Sequence, residues 1–428
     1  MRHDLLRDMR CPYCGGAFEP IVLDGDDTQI QWGLLRCRCF EFPVVDGIAL
    51  LNLAKGYGGP EDELNPYVPL LVASVEYLQK GDVAGLLAWI ERQLPLVRPL
   101  LSDGDPVSYL HLSAELGLAI APLVEDYLVD MSRYEVIGAP GKKPRKRKQV
   151  TIDRAVELSR LNDYYTTRFF SPRAHALALR MCHLDFGPRT LSLCCGHGVF
   201  ENFVRALDLG TQVVSVDAQL VNLLVTRRYA NPDAVYLLHD VQFPLPFGDG
   251  AFDGVFSSTC LPELPAQKTF VEESIRAASP MGWAFFDRIW NLEFQGGVRR
   301  IEHLRHYRFA QNFFATLEDY VALFTESAGP SRKVGVDLAR DPVAYVEDPG
   351  WAFGDDIASR LAQRDSFELS ALVVDAEAFA FVEPKLAERL RAEKLTPAPG
   401  KQATVDPAHV VDQFCACDVA FLPAHFDA

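Results

Sequence analysis

Arg189-Thr190-Leu191-Ser192-Leu193-Cys194-Cys195-Gly196-His197-Gly198 opens the stretch that decides the fold. Three more short apolar runs follow it: Val213-Val214-Ser215-Val216-Asp217, Val235-Tyr236-Leu237-Leu238-His239-Asp240 and Phe252-Asp253-Gly254-Val255-Phe256. Each run ends in Gly, Asp or a polar turn, and helix-like segments separate the earlier ones. Short apolar runs alternating with helices predict a parallel sheet with crossover connections. In such sheets a ligand binds where the loops gather at the carboxyl ends of the strands.

These residues resemble the class I S-adenosylmethionine-dependent methyltransferases over roughly half the chain. Gly196 and Gly198 occupy the last two glycine positions of the family's first loop, where a β-carbon would bar the backbone conformation or the approach of a ligand. Asp217 stands where the family's acid accepts hydrogen bonds from both ribose hydroxyls, a task for a group that only accepts. Asp240 stands where the family's acid meets the adenine amino group. Ala218 and Val241, next to these acids, and Ser257, just after the fourth run, complete the implied cofactor contacts. The run Phe243-Pro244-Leu245-Pro246-Phe247-Gly248-Asp249-Gly250-Ala251-Phe252-Asp253 resembles the family's approach to its fourth strand. Two departures stand out. Ser192 replaces the usual Asp or Glu, and Cys194 replaces the first glycine. The resemblance implies a Rossmann-like, doubly wound, mostly parallel α/β sheet and a cofactor site that includes Ser192, Cys194, Gly196, Gly198, Asp217 and Asp240. The segment before the first strand often covers the cofactor in this family, which adds Tyr165 and Arg168.

Cys11-Pro12-Tyr13-Cys14 is a knuckle with two thiolates on one turn, and Cys37-Arg38-Cys39 follows after a strand-rich stretch. Four sulfurs complete a tetrahedral zinc site. A unit of ~50 residues has a small core, so a metal is a plausible staple. Gly33–Cys37 and Phe42–Leu51 resemble the small zinc-ribbon activator domain that partners or fuses to methyltransferases. There the second pair is usually Cys-x-x-Cys. Here it is one residue shorter, but alternate residues of an extended segment share a face.

The sequence has 428 residues, 49% of them hydrophobic, enough for two or three domains. The division expected is a zinc ribbon over 1–55, a helical region and basic linker over 56–150, the methyltransferase domain over 151–376 and a C-terminal extension over 377–428. Leu70–Leu78, Leu86–Leu94 and Glu115–Val124 carry apolar residues at helical spacing. Asp153–Asn162, Ala174–Cys182, Phe270–Ala278 and Leu317–Ala328 read as further helices. Ala284–Asp287 reads as the fifth strand, behind a Pro280-Met281-Gly282 turn. Lys333–Leu338 and Glu368–Val374 read as closing strands. Lys142, Lys143, Arg145, Lys146, Arg147 and Lys148 form a solvated linker, and Cys415 and Cys417 read as core or surface thiols.

The formal net charge of −16 disfavours a large nucleic-acid footprint. No apolar run approaches the ~20 residues that span a bilayer, so no membrane association and a cytoplasmic location are expected. Cys260 reads as a buried bystander. The basic, aromatic segment Arg288–Phe314 places Arg300, His303 and Tyr307 on one helical face. His303 and Tyr307 are the catalytic candidates, His303 as a proton acceptor. The expected function is methyl transfer to a small-molecule or peptide acceptor. Two alternatives remain: an RNA methyltransferase behind a zinc finger, and a non-catalytic binding protein on a decayed methyltransferase fold.

Overall fold

The computed structural model describes residues 1–53, 67–93, 97–102, 172–206, 208–291, 315–338, 345, 348–362 and 368–382. Their strands join into a single twelve-stranded sheet. β1 (Glu19–Gly25), β2 (Ile30–Arg36), β3 (Glu41–Val45) and β4 (Ile48–Leu50) form an antiparallel meander. β5 (Arg189–Leu193), β6 (Gln212–Asp217), β7 (Val235–Leu238), β8 (Phe252–Ser258) and β9 (Ala278–Trp290) form the parallel centre. β10 (Arg332–Leu338), β11 (Ala352–Phe353) and β12 (Glu368–Asp375) close the far edge with antiparallel pairings. The spatial order is β1-β2-β3-β4-β7-β6-β5-β8-β9-β12-β10-β11. The expected doubly wound sheet is present, and β5 sits at its centre.

The helices are α1 (His3–Leu6), α2 (Tyr67–Gln79), α3 (Val83–Gln93), α4 (Pro172–Met181), α5 (Val199–Ala206), α6 (Leu220–Val225), α7 (Gln267–Ala277), α8 (Leu317–Ala328) and α9 (Asp356–Ala362). Alternation along each strand sends side chains into two cores. On one face Leu191, Leu193, Val214, Val216, Val255 and Phe286 pack with Phe270 and Val271 of α7 and Tyr320 and Phe324 of α8. On the other, Val213, Phe256 and Phe285 pack with Leu177 and Met181 of α4 and Phe200 and Phe203 of α5. α8 begins with a capping box between Thr316 and Asp319 and ends at Gly329, whose φ of 67° suits glycine.

The cysteine-bearing meander is not a separate bead. β4 pairs in parallel with β7, Ala49 opposite Leu237 and Leu50 opposite Leu238, and the Leu51 amide donates to the Leu238 carbonyl at 2.8 Å. Its alternation matches that of its neighbour. Val44 and Ala49 enter the first core, while Val45, Ile48 and Leu50 join Tyr236, Leu238 and helices α2, α3 and α6 in a third. The β3–β4 hairpin turns on Asp46-Gly47, with φ of 51° and 80°. A two-residue hairpin of this hand needs two left-handed residues. The Asp46 carboxylate then pairs with Arg227, beyond α6.

One expectation is corrected. Pro280-Met281-Gly282 is not a turn preceding a strand. It lies inside β9, where the pairing with β8 jumps from Phe252–Ala278 to Gly254–Trp283. The extra residues bulge outward, leaving Met281 67% exposed. Gly282 is required there, because a β-carbon would lie 2.3 Å from the Asp253 carbonyl oxygen. The predicted helices at 115–124 and 153–162, the basic linker, Tyr165, Arg168, His303, Tyr307, Cys415 and Cys417 lie outside the described residues. No described helix is long and apolar enough to cross a membrane.

A buried ionic cluster ties α4 to β9, β10 and β12. Arg180 donates to Asp287 (3.0 Å), Ser370 (2.5 Å), Asp337 (2.8 Å) and the Tyr345 hydroxyl (2.6 Å). Arg180, Asp287 and Asp337 are each at most 4% exposed. Removing one partner of such a set leaves uncompensated charge in the interior. Arg180→Leu should therefore cost about 3–5 kcal/mol of stability, read as a lower midpoint in urea denaturation. An unchanged midpoint would show that the cluster does not hold these elements together.

Candidate functional site

The chain leaves β5 toward α5 and β6 on one side, while β8 is added on the other. The connections after β5 and β8 therefore lead to opposite sides at the carboxyl edge, and such a switch point is where the ligand crevice of an open α/β sheet lies. Among the described residues, Cys194, Gly196, Gly198, Asp217, Ala218, Asp240, Val241 and Ser257 lie at or just beyond these strand ends. The loop after β5 turns through Gly198 N to Cys195 O (3.0 Å), with Gly196 at φ 54° and Gly198 at φ 79°. Nothing lies within 4 Å of a β-carbon built on Gly196, so open space borders the loop. A β-carbon on Gly198 would instead sit 2.4 Å from the Thr226 methyl. The two glycines thus serve different needs, approach from outside and packing from inside.

Asp217, at the end of β6, is 6% exposed. Its carboxylate accepts from Gly196 N (2.9 Å), Gln219 N (2.8 Å) and Asn222 Nδ2 (3.2 Å). It braces the glycine loop from the end of β6. Ala218 follows it, half-buried. Asp240, beyond β7, accepts from Gln242 N (3.0 Å), and Val241 beside it is buried. Burial pushes the neighbouring His239 imidazole down to about 4, so it is neutral near pH 7. Its Nε2 lies 3.1 Å from the Pro244 carbonyl. Ser257 is 3% exposed at the end of β8.

Several contributors had no sequence signal of their own. Asn52, just past β4, accepts from the Asp240 amide at 2.6 Å, so the N-terminal meander sets the backbone of this acid. Tyr13, within the cysteine knuckle, accepts from Leu53 N (3.0 Å) and lies 6.0 Å from the Phe243 ring. Thr226 starts a π-helical turn and donates to the Gly196 carbonyl at 2.9 Å. Such turns recur at functional sites. Cys260 is buried as expected, yet it is no bystander: it is disulfide-bonded to Cys194, with Cα atoms 6.2 Å apart.

Ser192 is 1% exposed and lies beside Glu201 of α5. The carboxylate absent from position 192 is present nearby as Glu201 of α5, itself fully buried. Glu201 Oε1 accepts from Ser215 Oγ at 2.7 Å. Burial pushes its carboxyl up to about 7, while the nearby Ser192 and Ser215 hydroxyls pull it down.

At the N-terminus, Cys11 N donates to Gly16 O (2.8 Å) and Gly15 N to Cys11 O (2.9 Å), which folds the knuckle. The shortened Cys37-Arg38-Cys39 pair converges on it. Cys11 and Cys39 sulfurs are 3.5 Å apart, Cys37 and Cys39 sulfurs 3.3 Å, and all four lie within 4.8 Å of one another. Four sulfurs at ~2.3 Å from a zinc ion would be spaced by about 3.8 Å, so the donor set fits that metal. The Gly16 amide, first, holds the Cys14 thiol down to about 6, while burial pushes Cys39 up.

Residues 191–286 match the family described as "Methyltransferase domain". An uncharacterised methyltransferase of Synechocystis sp. is 32% identical over 114 residues, 26% of this chain and 52% of the relative. The chain thus spans about half the length of the curated relative that it matches. A solved Thermotoga maritima protein described as a SAM-dependent methyltransferase and possible histamine N-methyltransferase is 16% identical, with a TM-score of 0.36 over 51% of this chain and 96% of its own. A complex between a methyltransferase activator and a methyltransferase from Haloferax volcanii gives 19% identity and a TM-score of 0.37, over 50% and 93%. The fold is a Rossmann-like, doubly wound sheet whose residues 191–286 match a methyltransferase domain, with a four-cysteine cluster at its N-terminal end.

The Glu201 carboxyl makes stability pH-dependent. Its folded pKa lies above the ordinary 4.5, so the native state keeps the proton after the unfolded chain has lost it. This contribution is complete below about 4.5, declines as pH rises to about 7 and is absent above, a span worth up to about 3 kcal/mol. Glu201→Gln should flatten that decline in thermal melts between pH 5 and pH 8. A variant with the wild-type pH profile would contradict the assignment.

Proposed function

We propose that this chain, which carries a methyltransferase domain, binds S-adenosylmethionine at the β5–β8 crevice and transfers its methyl group to a small-molecule or peptide acceptor. The observation that supports this reading is the convergence of Gly196, Asp217 and Asp240 at the carboxyl edge of three adjacent parallel strands. The residues fit the cofactor. Gly196 leaves open space beside the loop, and Asp217 would accept from the ribose hydroxyls. Asp240, held by Asn52, would receive the adenine. When bound, the cofactor supplies a methyl on a positively charged sulfur. The chain's part is positioning: Asp217 fixes the loop and Asn52 fixes Asp240, so little order is lost at the moment of reaction.

The acceptor class rests on charge and composition. A net charge of −16 disfavours a polyanion such as RNA. Residues His303 and Tyr307 are the proposed acceptor-side pair, and Tyr165 and Arg168 the proposed cover of the cofactor. We further read the cysteine cluster as a structural zinc site formed by Cys11, Cys14, Cys37 and Cys39.

Calorimetric titration with S-adenosylhomocysteine tests the cofactor. Reduced wild-type protein should bind it, and Asp217→Ala should lose at least about tenfold in affinity, since each charge-assisted hydrogen bond is worth ~1.5–3 kcal/mol. Equal affinity in a folded variant would remove Asp217 from the site. Metal analysis of protein purified without chelator tests the zinc. One equivalent is expected, with loss of the ion and a lower melting temperature in Cys14→Ser. Folded, metal-free wild-type protein would contradict it.

A further inference from the structure

Cys194 and Cys260 are 66 residues apart in sequence and joined between the loops that follow β5 and β8. Cys194 is the first residue after β5, and Cys260 lies two residues beyond β8. These two strands are adjacent, Leu193 opposite Ser257. Their loops are the two that part at the switch point. A bridge between them therefore spans the opening that a ligand must enter.

Both stems are held in place. On the β5 side, the Gly196 amide is bonded to Asp217. On the β8 side, Thr259 N donates to Asp287 O (3.0 Å) and Ser258 Oγ to Asp287 Oδ2 (3.2 Å), with Asp287 fixed in turn by Arg180. Cys194 and Thr259 both adopt left-handed backbone, φ 56° and 61°. A residue with a β-carbon is disfavoured in that region, and glycine is at ease there. Cys194 accepts this cost and puts a sulfur where glycine would leave space. The Cα separation of 6.2 Å lies in the range a disulfide requires. The neighbouring thiol, Cys195, turns the other way, toward the Gly196 carbonyl at 3.8 Å.

We propose that Cys194 and Cys260 form a reversible oxidation site that gates the cofactor crevice, closed as the disulfide and open as two thiols. The inference rests on the cofactor reading above. The oxidant is a peroxide. One thiol attacks a peroxide oxygen, giving a sulfenic acid and releasing water; the second thiol displaces a further water and forms the S–S bond. Two electrons and two protons pass from the thiols to the peroxide, and a dithiol reductant returns them. As the disulfide, the sulfurs bridge the carboxyl ends of β5 and β8. As thiols, the two sulfurs are no longer tied to each other, and the half-buried Cys194 can turn away from the buried Cys260.

The test compares full-length protein reduced with dithiothreitol and the same protein treated with hydrogen peroxide, the reagents then removed. Peptide mapping should find Cys194 linked to Cys260 in the oxidised sample alone. Titration with S-adenosylhomocysteine should show affinity lower by about tenfold or more in the oxidised form, as expected when the competent fraction falls to a tenth. Cys260→Ser and Cys260→Ala, each checked for an intact melt, should bind equally before and after peroxide. Equal affinity of reduced and oxidised wild-type protein, with the bond mapped, overturns the gate and leaves the cofactor reading standing. Peroxide-treated protein with both thiols free, or bonded elsewhere, also overturns it. Failure of the reduced wild-type protein and both variants to bind overturns the cofactor reading, and the gate with it.

Discussion

The parallel pairing of β5 with β6 on one side and β8 on the other is the constraint on which the rest depends. It separates the two loops that frame the crevice and aligns three strand ends, so that Gly196, Asp217 and Asp240 meet at one edge. Interior packing makes the arrangement stiff. Leu191 and Leu193 face one core, while Ser192 faces α5 on the other side of the sheet. A one-residue slip of β5 would exchange these faces and bury the wrong side chains. The functional edge is therefore fixed by the same alternation that builds the core.

The N-terminal unit extends this sheet instead of lying beside it. A free edge at β7 would leave backbone groups unpaired, and β4 covers it. The contact then reaches the crevice directly, because Asn52 follows β4 and binds the Asp240 amide. Arg227, beyond α6, reaches back to Asp46 of the β3–β4 hairpin. A small unit with a modest core is thus stabilised by a sheet that it shares. Tyr13 lies between two of the cysteines and also contacts Phe243, which ties the knuckle to the loop after β7.

Much of this was legible in the sequence, and the reason is local. Glycines that need left-handed backbone, and acids at the ends of apolar runs, announce themselves within a few residues. The knuckle Cys11–Cys14 does the same, and so do α4, α7 and α8. What escaped depends on contacts between distant segments. Nothing near Cys260 marks it as the partner of Cys194. Asn52 and Asp240 are far apart in the chain and meet only because β4 joins β7. Glu201 is turned under the sheet toward Ser215, which no neighbour in sequence announces. Arg180 likewise gains its two carboxylates only from the fold. The Pro280-Met281-Gly282 segment misled for another reason: its composition fits a turn, and a bulge inside β9 meets the same backbone needs.

The crevice as a cofactor site is tested most directly by a crystal structure of the reduced full-length protein grown with S-adenosylhomocysteine. The density expected is continuous along the carboxyl edge, with the homocysteine end over Gly196, the ribose on the Asp217 carboxylate and the adenine beside Asp240. Ligand density elsewhere on the molecule, or an empty β5–β8 crevice at saturating ligand with Cys194 and Cys260 reduced, would contradict it.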